Sequence, residues 1–306
     1  MNQVLIITSK DEQFGRYFVD NGIKVVDVWK NNHFSSRKYN FLKFFNSEDL
    51  LFAFNKELIM KYNKILITET NEIVSIVRNI KRWNEQASIK YWLWNPMKQY
   101  PSGKKEYVAE IAKFGVETFS FDNDDCRKYG LHYNNQMCPD YSNFINDYNV
   151  KAEKCFFIGA DKGRLKKLIN IKKTLESIDI DFDFTVFSQK NITENINGIK
   201  IIKKPVDYST ILDGICKSTC IIDIVQEGQS GLTWRPFEAL FYNKKLITTN
   251  TNIKEFDFYN KNNILVLEDN YDEIKDFLAL PYIQIDEKIK DGYRLEKWIA
   301  NFFEEA

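Results

Sequence analysis

Glu227-Gly-Gln-Ser-Gly-Leu-Thr-Trp-Arg-Pro-Phe-Glu-Ala-Leu240, with Lys244-Lys-Leu-Ile-Thr-Thr-Asn250 close behind it, is the stretch whose reading decides the fold. It follows a short buried strand ending in Cys220-Ile-Ile-Asp223 and reads as a Gly/Ser turn, a helix, and a second buried strand from Leu246 to Thr249. A turn of this kind gathers backbone N–H groups and a helix N-terminus at one spot, where phosphate oxygens are favoured. Glu238 lies about one helical turn further on, a position from which a carboxylate accepts hydrogen bonds from a sugar diol. Donors for a diphosphate beside an acceptor for hydroxyls suit a nucleotide-sugar.

Outward from that stretch the same alternation continues. Strands are expected at Val4–Thr8, Lys24–Trp29, Lys64–Thr68, Ile89–Trp94 and Val116–Phe119, with helices near 11–21, 48–62, 71–85, 106–114 and 123–129 between them. Periodicity then fades from Gly130 to Lys151. A second series opens with Lys154-Cys-Phe-Phe-Ile-Gly159, followed by a helix (165–178), strands at 182–187 and 199–202, a helix (208–217), the strand ending at Asp223, the signature helix, a strand at 263–267 and two closing helices. Strands alternating with helices call for parallel sheets covered on both faces. The expected architecture is α/β, with two Rossmann-like domains facing each other across a cleft. The division is placed at 1–150 and 151–306, and the last helix, Tyr293 to Glu304, is a candidate to return to the first domain.

Composition narrows the function. The 306 residues carry 43 basic and 43 acidic side chains, a balance that speaks against a nucleic-acid binder. Five scattered cysteines without a CxxC pair, and two histidines (His33, His132), give no zinc site and no disulfide framework. The start, Met1-Asn-Gln-Val-Leu-Ile-Ile-Thr, has no signal-peptide pattern, and no run of about 18 apolar residues appears. A cytoplasmic location is expected. Lys30, Arg37, Lys38 and Lys43 alternate with aromatics between Trp29 and Phe45, and Lys104 and Lys105 lie near Tyr100. Such a mixture suits peripheral contact with an anionic membrane, or else a loop whose rings fold onto the first domain.

The order strand–Gly159-Ala-Asp-Lys-Gly-Arg164–helix, then strand–turn–Glu238-Ala-Leu240–strand, resembles the nucleotide-binding half of GT-B glycosyltransferases, and more narrowly the retaining transferases of bacterial capsule and lipopolysaccharide biosynthesis. The resemblance covers roughly residues 154 to 267. It implies that Gly159, Lys162, Gly163 and Arg164 hold the donor diphosphate, without a metal or other cofactor. It also implies that Ser230, Gly231, Thr233 and Arg235 line the donor, that Glu238 binds ribose, and that the partners are a nucleotide-sugar and a glycan or lipid-linked acceptor. The family's earlier glutamate would fall at Ser230, so Glu227 either swings into that place or the carboxylate is dispensed with, and the stereochemical outcome stays open. Acid pairs at Asp179-Ile-Asp-Phe-Asp183 and Asp122-Asn-Asp-Asp125 are badly placed to carry a metal to the diphosphate. In the first domain Glu69, after a buried strand, is the candidate base for the acceptor, with a helix-start acid as its ordinary reading.

Two other classes compete. A nicotinamide-dependent oxidoreductase needs a Gly-rich turn after the first strand, and Val4-Leu-Ile-Ile-Thr-Ser-Lys-Asp11 has no glycine. A non-catalytic nucleotide- or glycan-binding protein with a degenerate GT-B fold is the alternative to a transferase, and the Ser230 departure is its support.

Overall fold

A computed structural model describes residues 3–8, 12–27, 56–68, 70, 72–101, 103–142, 153–189 and 196–304. By its contacts the chain divides into two compact units, Met1–Asn135 with Trp298–Ala306, and Gln136–Lys297.

In the first unit, β1 (Val4–Thr8), β2 (Lys24–Asp27), β3 (Lys64–Thr68), β4 (Ser88–Trp92), β5 (Glu117–Ser120) and β6 (His132–Tyr133) pair in the order β2-β1-β3-β4-β5-β6. Every pairing is parallel. The helices α1 (Glu12–Asp20), α2 (Lys56–Ile59), α3 (Ile73–Trp83), α4 (Lys104–Ala112) and α5 (Asn123–Tyr129) intervene. Strand β1 is buried along its whole length, because helices on both faces leave a parallel strand no solvated side. Ile73, Ile76, Val77 and Ile80, at helical spacing on α3, pack against Leu5, Ile7, Ile65, Ile67 and Ile89. Strand β6 falls inside the segment read as aperiodic. Two residues carry no period, and it forms only because β5 offers an edge, Phe119 opposite His132.

In the second unit, β7 (Lys154–Ala160), β8 (Asp181–Phe187), β9 (Ile199–Ile202), β10 (Cys220–Asp223), β11 (Lys245–Thr248) and β12 (Ile264–Val266) pair in the order β12-β11-β10-β7-β8-β9, again all parallel. Successive side chains go to opposite faces. Phe157 and Ile222 meet Leu168, Ile171 and Leu175 of α6 (Leu165–Ser177) and Phe277 of α9 (Glu273–Ala279). Phe156, Ile221 and Leu246 meet Ile215 of α7 (Tyr208–Cys216) and Phe237 and Leu240 of α8 (Trp234–Phe241). Strand order reverses between β7 and β10, the place where open α/β sheets leave a crevice at their carboxyl edge.

Two closing helices were expected; three short ones are present, α9, α10 (Glu287–Asp291) and α11 (Leu295–Ala300). Asp286 caps α10 through Lys288 N, and Gly292 ends it, so the Tyr293–Glu304 pattern starts as a turn and becomes helix only at Leu295. Trp298 sits in the first unit's core, its ring edge-on to Trp92 at 5.5 Å and stacked with Phe18 at 6.2 Å. Its indole N–H donates to the Asn135 carbonyl at 2.8 Å.

Candidate functional site

The site starts where β7 ends. After Ala160 the chain turns through Asp161, whose carbonyl accepts from Arg164 N at 2.7 Å. Lys162 and Gly163 both take left-handed backbone angles, φ 40° and 81°. Glycine adopts that conformation freely; lysine does so at a steric penalty, a pattern that clusters at ligand-binding turns. The turn delivers the chain into α6 with Arg164 at the N-cap and no side chain capping its first amides. Those N–H groups, at the positive end of a helix of 13 residues, remain donors for an external acceptor.

Arg164 folds back over Gly159. A Cβ built on Gly159 would lie 3.1 Å from Arg164 Nη1 and 3.3 Å from the Phe157 ring, so any side chain there would press the guanidinium and the ring aside by a few tenths of an ångström. Burial pushes Arg164 below its ordinary pKa; Asp223 pulls the other way and Arg235 adds to the depression. Lys162, exposed, is lowered too, by its surroundings and by Arg164.

Asp223, the last residue of β10, organises the opposite wall. Its Oδ1 accepts from Thr233 Oγ1 at 3.0 Å and its Oδ2 from Thr248 Oγ1 at 2.9 Å. Both hydroxyls also accept from backbone amides, Arg235 N at 3.2 Å and Asn250 N at 3.1 Å, while donating to Asp223. Burial raises the pKa of this carboxyl, against the pull of Thr248, Thr233 and the two arginines. Thr233 thus links the amino end of α8 to β10. The preceding loop is tied down as well: the Ser230 carbonyl accepts from Asn250 Nδ2 at 3.2 Å and Asn252 Nδ2 at 3.1 Å, and the Gly231 carbonyl from Asn250 Nδ2 at 3.2 Å. Glu227 stands exposed at the tip, before Gly228 at φ 70°.

Arg235 and Glu238 lie one turn apart on α8, joined through Nη1 and Oε2, with side chains 16% and 0% exposed. Arg235 Nη2 also donates to the Ile158 carbonyl at the end of β7, at 3.3 Å. Burial lowers the guanidinium's pKa, but the charge and hydrogen bond of Glu238 outweigh it and the net displacement is upward. Glu238 Oε1 has no hydrogen-bond partner among the described residues, nor has the nearby Tyr208 hydroxyl. Burial followed by the Glu238 charge pushes Tyr208 and Cys138 well up, keeping both protonated.

The structure therefore brings Gly159, Lys162, Gly163, Arg164, Thr233, Arg235 and Glu238 to the carboxyl edge of β7 and β10, with Ser230, Gly231 and Glu227 in the adjoining loop. Glu238, expected at the ribose, has a side chain with no exposed surface and its Oε2 paired with Arg235 Nη1. The sequence reading missed Asp223, Thr248 and Asn250. The signal was present in an acid ending an otherwise apolar strand, Cys220-Ile-Ile-Asp223. Glu69 and the stretch from Trp29 to Phe45 lie outside the described residues. Lys104 is buried, its ammonium 4.7 Å from the Tyr100 ring centroid. Asp181 begins β8, and Asp122 caps α5 by accepting from Asp124 N and Asp125 N. No cluster of three or more His, Cys, Asp or Glu that could hold a metal ion occurs among the described residues, and no described helix is long and apolar enough to cross a membrane.

No profile of a known family matches this chain, and no curated protein sequence does. Solved structures do. An α-glucosyltransferase in complex with UDP aligns over 98% of this chain and 95% of its own, at 11% identity and a TM-score of 0.55. UDP-GlcNAc 2-epimerase from Methanocaldococcus jannaschii aligns over 97% of each chain at 10% identity and a TM-score of 0.49. The glycosyltransferase VinC, in complex with dTDP, aligns over 95% of each at 9% identity and a TM-score of 0.42. With two six-stranded parallel sheets, each covered by helices, and the whole chain matched, this protein has the α/β, two-Rossmann-domain GT-B fold.

Proposed function

We propose that this protein is a glycosyltransferase that moves a sugar from a nucleotide diphosphate sugar to a surface glycan or lipid-linked oligosaccharide. The observation that carries the reading is the convergence of Lys162, Arg164, Arg235 and the uncapped amino end of α6 at the strand-order reversal of a GT-B fold. Three cations and a set of free amides are suited to hold a diphosphate and to offset the charge that grows on it as the glycosidic bond breaks. No metal is required for that task in this reading. Glu227, on the exposed tip of the β10–α8 loop, is assigned to the donor sugar, and Glu69, following β3, to the acceptor hydroxyl. An acceptor carried on a lipid would bring the enzyme to the cytoplasmic face of a membrane.

The test is isothermal titration with UDP, GDP, CMP and dTDP species, followed by nucleotide-sugar hydrolysis without acceptor. Binding of one nucleoside diphosphate in the micromolar range, with chelator-insensitive hydrolysis that is lost in Arg164→Ala, supports a transferase. No binding anywhere in the panel refutes the reading. Binding with no turnover on any donor favours the second reading, a non-catalytic nucleotide- or glycan-binding GT-B protein. That reading draws on Ser230, whose carbonyl is locked by Asn250 and Asn252 at the position where the resemblance calls for a glutamate.

A further inference from the structure

Glu238 occupies the position from which related sequences would address the ribose, yet its environment is that of an interior group. Its side chain has no exposed surface, its Oε2 is paired with Arg235 Nη1, and Tyr208, Cys138 and Tyr242 also feel its charge. The guanidinium it holds is different. Arg235 keeps 16% of its side chain exposed, is fastened a second time to the Ile158 carbonyl at the end of β7, and acts electrostatically on both Arg164 and Asp223. Two like-charged guanidiniums repel each other and stay close only where the surroundings hold them. Asp223 serves both, but its two oxygens are already committed to Thr233 and Thr248. Glu238 is the carboxylate that hydrogen-bonds Arg235 directly.

We propose that Glu238 is a positioning residue, not a ribose ligand: from inside the unit it fixes the Arg235 guanidinium beside Arg164, so that the two arginines present a preorganised seat for the diphosphate. This rests on the nucleotide-sugar reading above and adds to it the division of labour on α8. Arg235 touches the phosphate, and Glu238 acts only through Arg235. Recognition of the ribose hydroxyls falls to other residues.

The experiment compares Kd values for UDP, GDP, their 2′-deoxy counterparts and inorganic pyrophosphate in the unaltered protein, Glu238→Gln, Arg235→Met and the combined variant. The expected result is that Glu238→Gln weakens pyrophosphate and nucleoside diphosphate alike, by about tenfold, the scale of one charge-assisted hydrogen bond. The ribo-to-deoxy ratio stays as in the unaltered protein, and the effect of Glu238→Gln disappears in the Arg235→Met background. A loss confined to ribonucleotides, with the ribo-to-deoxy ratio falling to one and pyrophosphate unaffected, overturns the proposal and leaves the nucleotide-sugar reading standing. If the unaltered protein binds neither pyrophosphate nor any nucleoside diphosphate, both fall together. Should Glu238→Gln fold poorly, Arg235→Met/Glu238→Leu removes the buried pair from both sides, an exchange that interiors tolerate. In that variant an unchanged ribo-to-deoxy ratio supports the positioning role, and a ratio of one overturns it.

Discussion

Replacing Arg164 by methionine is expected to separate binding from stability. Arg164 is a half-buried cation whose contacts do little for the fold. Its Nη1 lies 3.5 Å from the Ala160 carbonyl, at the limit of a hydrogen bond, its Nε has no partner among the described residues, and burial depresses its pKa. Methionine keeps the apolar stem and removes the charge, its desolvation and its repulsion of Arg235. The attraction of Asp223 is also lost, but Asp223 keeps both threonines and Arg235. The melting temperature is therefore expected to stay within about 2 °C or to rise, as for a substitution worth less than about 1 kcal/mol. Ligand binding responds differently. Hydrogen bonds from a guanidinium to phosphate contribute about 1.5–3 kcal/mol, which is a loss of about 10- to 150-fold in Kd. Gly159→Ala tests the same geometry from below, since its Cβ at 3.1 Å from Nη1 displaces the guanidinium without removing it; a loss of about three- to tenfold is expected, on the order of 1 kcal/mol. The assay pairs calorimetric titration of the best-binding nucleoside diphosphate with a thermal melt of each variant. A melting point lowered by more than about 5 °C, with affinity unchanged within about twofold, would refute the reasoning and make Arg164 a structural residue.

Two further outcomes test the framework and the electrostatics. Lys245, buried at the start of β11, donates to the Phe277 carbonyl at 2.8 Å, the Leu278 carbonyl at 2.7 Å and the Leu280 carbonyl, so it closes the end of α9. Lys245→Met is expected to destabilise by about 2–3 kcal/mol, what remains after the relief of burying a charge, and to lower the melting temperature of the second unit by about 5–10 °C; an unchanged calorimetric melt would contradict this. The Cys126 thiol is pushed up to about 11 by burial, with Asp122 and Asp125 adding to the rise against the Ser120 backbone hydrogen bond. Because the thiolate is the reactive form, and it gains population only as pH rises, alkylation of Cys126 at pH 9 is expected to run about 50-fold slower than in unfolded chain, catching up above about pH 11. Peptide mapping after iodoacetamide pulses reads the rate, and equal rates at pH 9 would exclude the raised pKa.

Much of the fold was legible because its signal is local. The runs Val4–Thr8, Lys64–Thr68, Ile199–Ile202 and Cys220–Asp223 are strands at the expected boundaries, and Asn123–Tyr129 is the expected helix. Apolar runs between turn residues have one good use in a parallel sheet. The misreadings share a cause too. The pair His132–Tyr133 is too short to carry a period, and the final pattern from Tyr293 becomes helix only at Leu295, after the turn in which Gly292 ends α10.

For the site, the sequence by itself determined the chemistry of the loops: which turn carries Lys162, Gly163 and Arg164, and which helix start carries Thr233, Arg235 and Glu238. Residue type and spacing along one segment decide those matters. What only the tertiary structure decided is which side chains face the crevice and which serve them from behind. Asp223 became the anchor of two threonines because β10 and β11 set it level with Thr248. Glu238, on the same helix as Arg235, was drawn inside by the packing of α8 against the sheet, while Arg235 reached across to the Ile158 carbonyl. Exposure depends on what long-range pairing lays over a residue, and neighbours along the chain do not carry that information.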